Sequence, residues 1–210
     1  MDIADMIMAW GRGWAVSRGV PPPVEVPGGF RAEVGLPHHR VRHVLHTWSA
    51  ESLHALVLPD SAPGAWVKVV GSRDDLRAAL PAPWTTAADG WLMSTEFTVE
   101  PGRPVAPYRT EVTESGGTVT AVARDADGTP AAWAHLARAG AVGVVDRVET
   151  APEHRRRGLG SAVMRALGRH AVESGMATGV LVATKDGCGL YRALGWEVRA
   201  GIAAAWVPAG

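Results

Sequence analysis

Ile3, Met6, Ile7, Trp10 and Trp14 recur at helical spacing and predict an amphipathic helix of about four turns. Its Met and Trp stripe reads as core or interface. Pro21, Pro22 and Pro23 should end it, since none donates an amide and each restricts its predecessor. Residues 30–34 and 41–46 read as short strands about a Pro37 turn, followed by a helix over 49–57 and a strand over 66–70. Ser72 is placed to cap a helix running to Leu80, with Asp74 and Asp75 in its first turn. Pro81, Pro83 and residues 87–90 predict a loop before a strand at 91–97.

Pro101, Pro104 and Pro107 mark a linker, which divides the chain into residues 1–105 and 106–210. Strands are expected beyond it at 109–113, 118–124, 131–137 and 141–150, with Gly116-Gly117 and Asp127-Gly128 as hairpin turns. Leu159, Val163, Leu167 and Ala171 line one face of a helix that Gly175 should stop. Residues 180–183 are apolar without a break, as in a strand covered on both sides. Asp186 is placed to cap a helix holding Tyr191, which Gly195 closes. Residues 196–199 and 202–207 read as the last strands.

The chain of 210 residues is long enough to bury a substantial core as one domain or two small ones. Twenty-one basic residues balance twenty-one acidic ones, so no global field attracts nucleic acid or an anionic membrane, and any phosphate must be recognised locally. One cysteine, Cys188, excludes an internal disulfide and fits a reducing cytoplasm. Asp2 and Asp5 stand where a signal peptide wants basic residues, and no run approaches the ~20 apolar residues of a membrane span. The expectation is a soluble cytoplasmic protein, and the heavy use of Ala, Gly, Arg and Val suggests a bacterial genome rich in G and C. Six of nine tryptophans precede residue 100, with core as the default reading and an aromatic acceptor pocket as the alternative. The eight histidines lack the spacings of a zinc site, so no metal is expected.

The chemistry concentrates in residues 153–166, EHRRRGLGSAVMRA, where a strand-like run meets a helix. Arg155, Gly158 and Gly160 give R-x-x-G-x-G. Glycines let a loop wrap an anion closely, and the first helical turn offers unpaired N–H groups and the positive dipole end. The dipole gives only ~0.3–1 kcal/mol per exposed charge, so several amides must act together. A solvated basic turn capping an ordinary helix is the bland alternative. A P-loop is excluded because Ser161 follows Gly160 without an intervening Lys, and the Rossmann spacing is absent.

This segment resembles motif A of the GNAT superfamily of N-acyltransferases, whose pattern is Gln or Arg, two residues, Gly, one residue, then Gly or Ala. GLYRALGWEV at 189–198 resembles that superfamily's tyrosine helix and following strand, and VDRVETAP at 145–152 its splayed fourth strand. The resemblance covers residues 118–207. It implies an α/β (α+β) fold, with a mixed, mostly antiparallel central sheet flanked by helices. Residues 1–105 would then supply the missing early elements or form a degenerate copy of the same fold.

The resemblance also implies acetyl-CoA as donor. The amides of residues 156–161 (Arg156, Arg157, Gly158, Leu159, Gly160, Ser161) would face its pyrophosphate, with Arg155, Arg156 or Arg157 adding charge. The backbone of Val148, Glu149 and Thr150 would pair with the pantetheine arm. Tyr191 matches the acid that protonates the departing thiolate; its alternative is a core aromatic bonded to backbone. For the base Asp146 ranks first, and Glu149 second because strand faces alternate unless a bulge resets them. Relatives often carry an asparagine before the tyrosine helix; Thr184 or Asp186 would substitute here. An acyl-enzyme on Cys188 is a minor alternative, since no His adjoins it in sequence. The expected activity is direct N-acetylation of a small-molecule primary amine. A protein lysine or N-terminal acetyltransferase and a non-catalytic acyl-CoA-binding module are the rivals. No nucleic acid or membrane partner is expected, and a homodimer through the last strands is left open.

Overall fold

A computed structural model describes residues 1–36, 38–99 and 104–209. The expected turn at Pro37 and the first linker proline, Pro101, lie outside the described residues. In chain order the elements are α1 (Ile3–Arg18), β1 (Val24–Val26), β2 (Gly29–Leu36), β3 (His39–Leu45), α2 (Ala50–Val57), β4 (Ala65–Val70), α3 (Arg73–Ala79), β5 (Thr85–Thr86) and β6 (Gly90–Glu96). There follow β7 (Arg109–Ser115), β8 (Thr118–Arg124), β9 (Pro130–Ala139), β10 (Val142–Thr150), α4 (Leu159–Glu173), β11 (Thr178–Ala183), α5 (Cys188–Ala193) and β12 (Glu197–Trp206). The fold is mixed α/β with a largely antiparallel sheet flanked by helices, as expected. Strands β1 and β5 had no signal in the pattern, and β12 is one strand where two were expected. No helix among the described residues is long and apolar enough to cross a membrane.

The strand order, β1-β2-β3-β4-β12-β6-β11-β10-β9-β8-β7, is mirrored about the β12–β6 pair, with β7 left over at one edge. β3, α2 and β4 form a parallel crossover, and so do β10, α4 and β11. Each crossover strand then pairs antiparallel with the last strand of the other half: β4 with β12, and β11 with β6. β6 and β12 pair with each other. Apart from β5 and β7, which have no counterparts, the first half repeats the strand topology of the second with the final strands exchanged. The boundary at residue 105 therefore separates two stretches of sequence within one hydrogen-bonded sheet, not two sheets.

Cores from the two halves lie on one face: Leu159, Val163, Leu167 and Leu181 beside α4, and Leu53, Val57, Leu76 and Val67 beside α2 and α3. α1 covers the other face alone, packing Ile7, Trp10 and Trp14 against Phe30, Val44, Val144 and Val180. It touches both β2 and β9, so the sheet curls around it. The helix ends earlier than its prolines require. Gly19 adopts φ 62° and donates its amide to Ala15 and Val16, a left-handed cap that makes the prolines a second barrier. Two internal glycines set its depth. A Cβ on Gly13 would lie 2.4 Å from Val144 Cβ, and one on Gly11 2.5 Å from Phe30 Cε1.

Gly13→Ala gains about 1 kcal/mol of helix propensity yet is expected to destabilise the protein by about 1–3 kcal/mol net, because α1 must lift from β10. The midpoint of urea unfolding reads the sign, and a raised midpoint would refute the close approach.

Candidate functional site

β10 and β11 pair only from Val142↔Thr178 to Val144↔Val180, after which they part. β10 stays bound to β9, but its register slips by one residue between Asp146↔His135 and Glu149↔Trp133. Arg147 holds the extra residue at φ 52°. Such a bulge bends the strand and shifts its alternation. Asp146 and Glu149 therefore face the same side of the sheet, the side of α1, because their partners His135 and Trp133 are two apart. The expected bulge and splay are both present, and the ranking of these carboxylates by opposite faces does not hold.

A cleft of about 950 Å³ occupies the splay. Its walls include Val148, Glu149 and Thr150 on β10, Leu181, Val182 and Thr184 on the β11 side, and Arg155, Arg156, Gly158, Leu159, Gly160 and Ser161 at the head of α4. Asp146, Asp186 and Tyr191 also line it. Arg157 does not. Its guanidinium donates to the Tyr108 hydroxyl at 2.8 Å and the Glu153 carbonyl at 3.1 Å, while that hydroxyl also meets His154 Nδ1 at 2.9 Å. It braces the loop from behind. Two smaller clefts, about 420 and 510 Å³, border α4; neither contains a residue expected at the donor or catalytic site, and Tyr108 lines the second.

Gly158 is the N-cap of α4 at φ 81°, a conformation glycine adopts without strain, and no side chain caps the helix. Ala162 donates the first amide to return to Gly158. Among the described residues, the amides of 156–161 find no protein acceptor. They are a run of unpaired donors at a helix start, five of the six residues lining the cleft, and fit an anion such as a diphosphate. Gly160 serves packing instead: a Cβ there would meet Leu190 Cδ2 at 3.0 Å.

Tyr191 is 8% exposed and its ring lies 6.1 Å from that of Trp196. Its hydroxyl has no hydrogen-bond partner among the described residues, unlike a core tyrosine anchored to backbone. Burial, with the nearby Asp146 charge, pushes its pKa up to about 12, so the phenol stays protonated. Gly187 makes room for it, since a Cβ there would lie 2.9 Å from Tyr191 Cε2. The expected cap by Asp186 is replaced. Gly187 occupies the N-cap without a side-chain bond, and Thr184 accepts the Gly187 amide on Oγ1 at 3.3 Å and the Cys188 amide on its carbonyl at 3.1 Å. Cys188 is buried with its sulfur 3.9 Å from Met93 Sδ, off the cleft wall.

Asp146 is not a free carboxylate. Oδ2 accepts from Arg18 Nε at 2.6 Å and from Ser17 Oγ at 2.9 Å, and Oδ1 accepts from Arg18 Nη2 at 3.1 Å. Burial alone would raise its pKa, but the Arg18 and Ser17 bonds hold it below the ordinary carboxylate range. Glu149 is exposed and forms no ion pair among the described residues. Sequence reasoning missed Ser17, Arg18 and Trp133. Nothing local marks a contact made across 128 residues. No three His, Cys, Asp or Glu side chains converge as metal ligands among the described residues.

A family model described as "Acetyltransferase (GNAT) family" matches residues 85–196. A GCN5-related N-acetyltransferase from Kribbella flavida superposes with a TM-score of 0.70 at 20% identity, over 100% of this chain and 97% of that one. A second, from Sphaerobacter thermophilus, gives 0.56 at 14% identity, over 99% and 92%. No curated protein matches the chain. At these identities the solved structures speak for the fold alone. The family model spans more than half of the residues, including the splay, the glycine loop and the tyrosine helix, and by that match the chain belongs to the GNAT acetyltransferase family.

Proposed function

We propose that this protein transfers an acetyl group from acetyl-CoA to the primary amine of a small molecule, directly, with both reactants bound. The observation that carries the reading is the meeting, in one cleft, of unpartnered amides at 156–161, the free inner edge of β10 and a protonated, unbonded tyrosine. The amides fit the donor's diphosphate, and Arg155 and Arg156 stand beside them. The β10 edge at 148–150 fits an extended amide-bearing arm lying between the splayed strands. The bound donor supplies the activated thioester carbonyl, and the chain's own groups do the rest.

An alkyl ammonium near pKa ~10.4 must lose a proton before it can attack. Glu149, unpaired and on the α1 face, takes that proton directly or through water. Asp146 is an organising residue, locked by Arg18. The Tyr191 hydroxyl gives its proton to the departing sulfur. Aligning the two reactants removes ~7–11 kcal/mol of barrier in well-oriented systems, more than either proton transfer contributes. A small acceptor is favoured because α1 packs over β9 and β10 on the face that Glu149 shares, and its Arg18 lines the cleft.

Thiol release from acetyl-CoA across an amine panel, with CoA affinity by calorimetry, tests the reading. Tight CoA binding with no turnover on any amine would leave an acyl-CoA-binding module. Gly158→Val, forcing a β-branched residue to φ 81°, is expected to weaken CoA binding about ten- to hundredfold. Tyr191→Phe should lower kcat about 10²-fold and spare CoA affinity. Because the tyrosine acts protonated and ionises only near 12, its ionisation lowers the rate only above that pH. A fall at lower pH that disappears in Tyr191→Phe would contradict this. Glu149→Gln should cut kcat about tenfold or more, with the loss relieved at alkaline pH where free amine is abundant.

A further inference from the structure

Beyond the Arg18 end of the cleft, the first half of the chain supplies a cationic patch that the reaction above does not use. Arg18 lies over the Trp14 ring at 5.9 Å, and Arg42 of β3 stacks on the same ring at 4.5 Å. The Arg42 Nε donates to His39 Nε2 at 3.1 Å, which requires a neutral imidazole accepting there. Among the described residues both terminal nitrogens of Arg42 lack a partner, so its fork is held by the Trp14 ring and the His39 imidazole but unfilled. Lys68, on the adjacent β4, has neither hydrogen bond nor ion pair among the described residues. Both cations are half-buried.

The charge does not balance. Asp146 is the carboxylate whose field reaches both Arg42 and Lys68, and it is already committed to Arg18. His39 is held neutral by burial and by the surrounding cations. Burial and the Arg42 charge pull Lys68 down to about 7, a cost that an anion seated beside it would remove. Trp66 and Trp206, stacked at 5.6 Å, lie on the same sheet face, and His39 packs 5.6 Å from Trp66. An unfilled guanidinium fork, a second cation and an aromatic border match a carboxylate on a short organic chain.

We propose that the acceptor amine carries a carboxylate at its far end, gripped by the terminal nitrogens of Arg42 and drawn by Lys68, with the Trp66 and Trp206 stack bounding its chain. This rests on the acyl-transfer reading for the place of the amine, not for the anion. The first half of the chain, which gives the cleft wall Arg18, thereby sets the acceptor preference from beyond that wall.

The test is a ladder of amino carboxylates of increasing length, each beside its uncharged carboxamide, scored by thiol release and separately by quenching of tryptophan fluorescence in the presence of CoA. The carboxylate should be favoured about ten- to hundredfold in kcat/KM at the best length. Arg42→Met and Lys68→Met should each erase most of that preference through KM, with CoA affinity unchanged. Arg42→Lys, which keeps the charge and the stem, should erase it in part. Turnover without preference for the carboxylate, or a preference that survives both methionine variants, overturns the inference while leaving acyl transfer intact. Saturable quenching by carboxylates that depends on Arg42, without thiol release, supports the anion site and removes acyl transfer instead.

Discussion

One residue more on β10 than on β9 sets the geometry of the whole cleft. Holding the non-glycine Arg147 at φ 52° costs of order 1–3 kcal/mol, and the neighbouring pairs with β9 absorb it. In return the strand bends away from β11 and exposes one row of backbone groups. Asp146 and Glu149 are turned to a common side. Without the slip, β10 and β11 would zip together past Val144, and there would be no opening for the head of α4 to face.

The second constraint is the tie between α1 and that bulged strand. Gly11 and Gly13 let the helix sink onto the sheet, which brings Ser17 and Arg18 within bonding distance of Asp146. The carboxylate then takes part in the site without titrating near neutrality. It fixes the end of the cleft and lends its field to Tyr191, where it helps keep the phenol protonated. Charge placed for position in one residue thus adds to the burial that raises the pKa of another.

The second half of the chain was legible because its signals are local. Glycine turns, a 3.6-residue stripe and the R-x-x-G-x-G spacing each reside within a few residues, and all of them survive in the structure. Almost every residue singled out for the donor lines the cleft, because short-range backbone geometry decides where a loop puts its amides. Arg157 escaped because the Tyr108 hydroxyl that claims it lies 49 residues away. The same limit hid Arg18, whose partner is remote, and the mirrored strand order, which depends on pairings between β4 and β12 and between β6 and β11. Asp186 does not cap the helix because the helix begins one residue later than its acidic residue suggests, with Gly187 at the N-cap and Thr184 accepting the Gly187 amide.

The crossed final strands bind the fate of each half to the other. While the chain is being made, β6 emerges long before β11, and β4 before β12, so both wait with unsatisfied edges until the last segment arrives. Such long-range closure slows acquisition of the native state. It also means that neither half can lose its strands without stripping the other of a hydrogen-bonded neighbour.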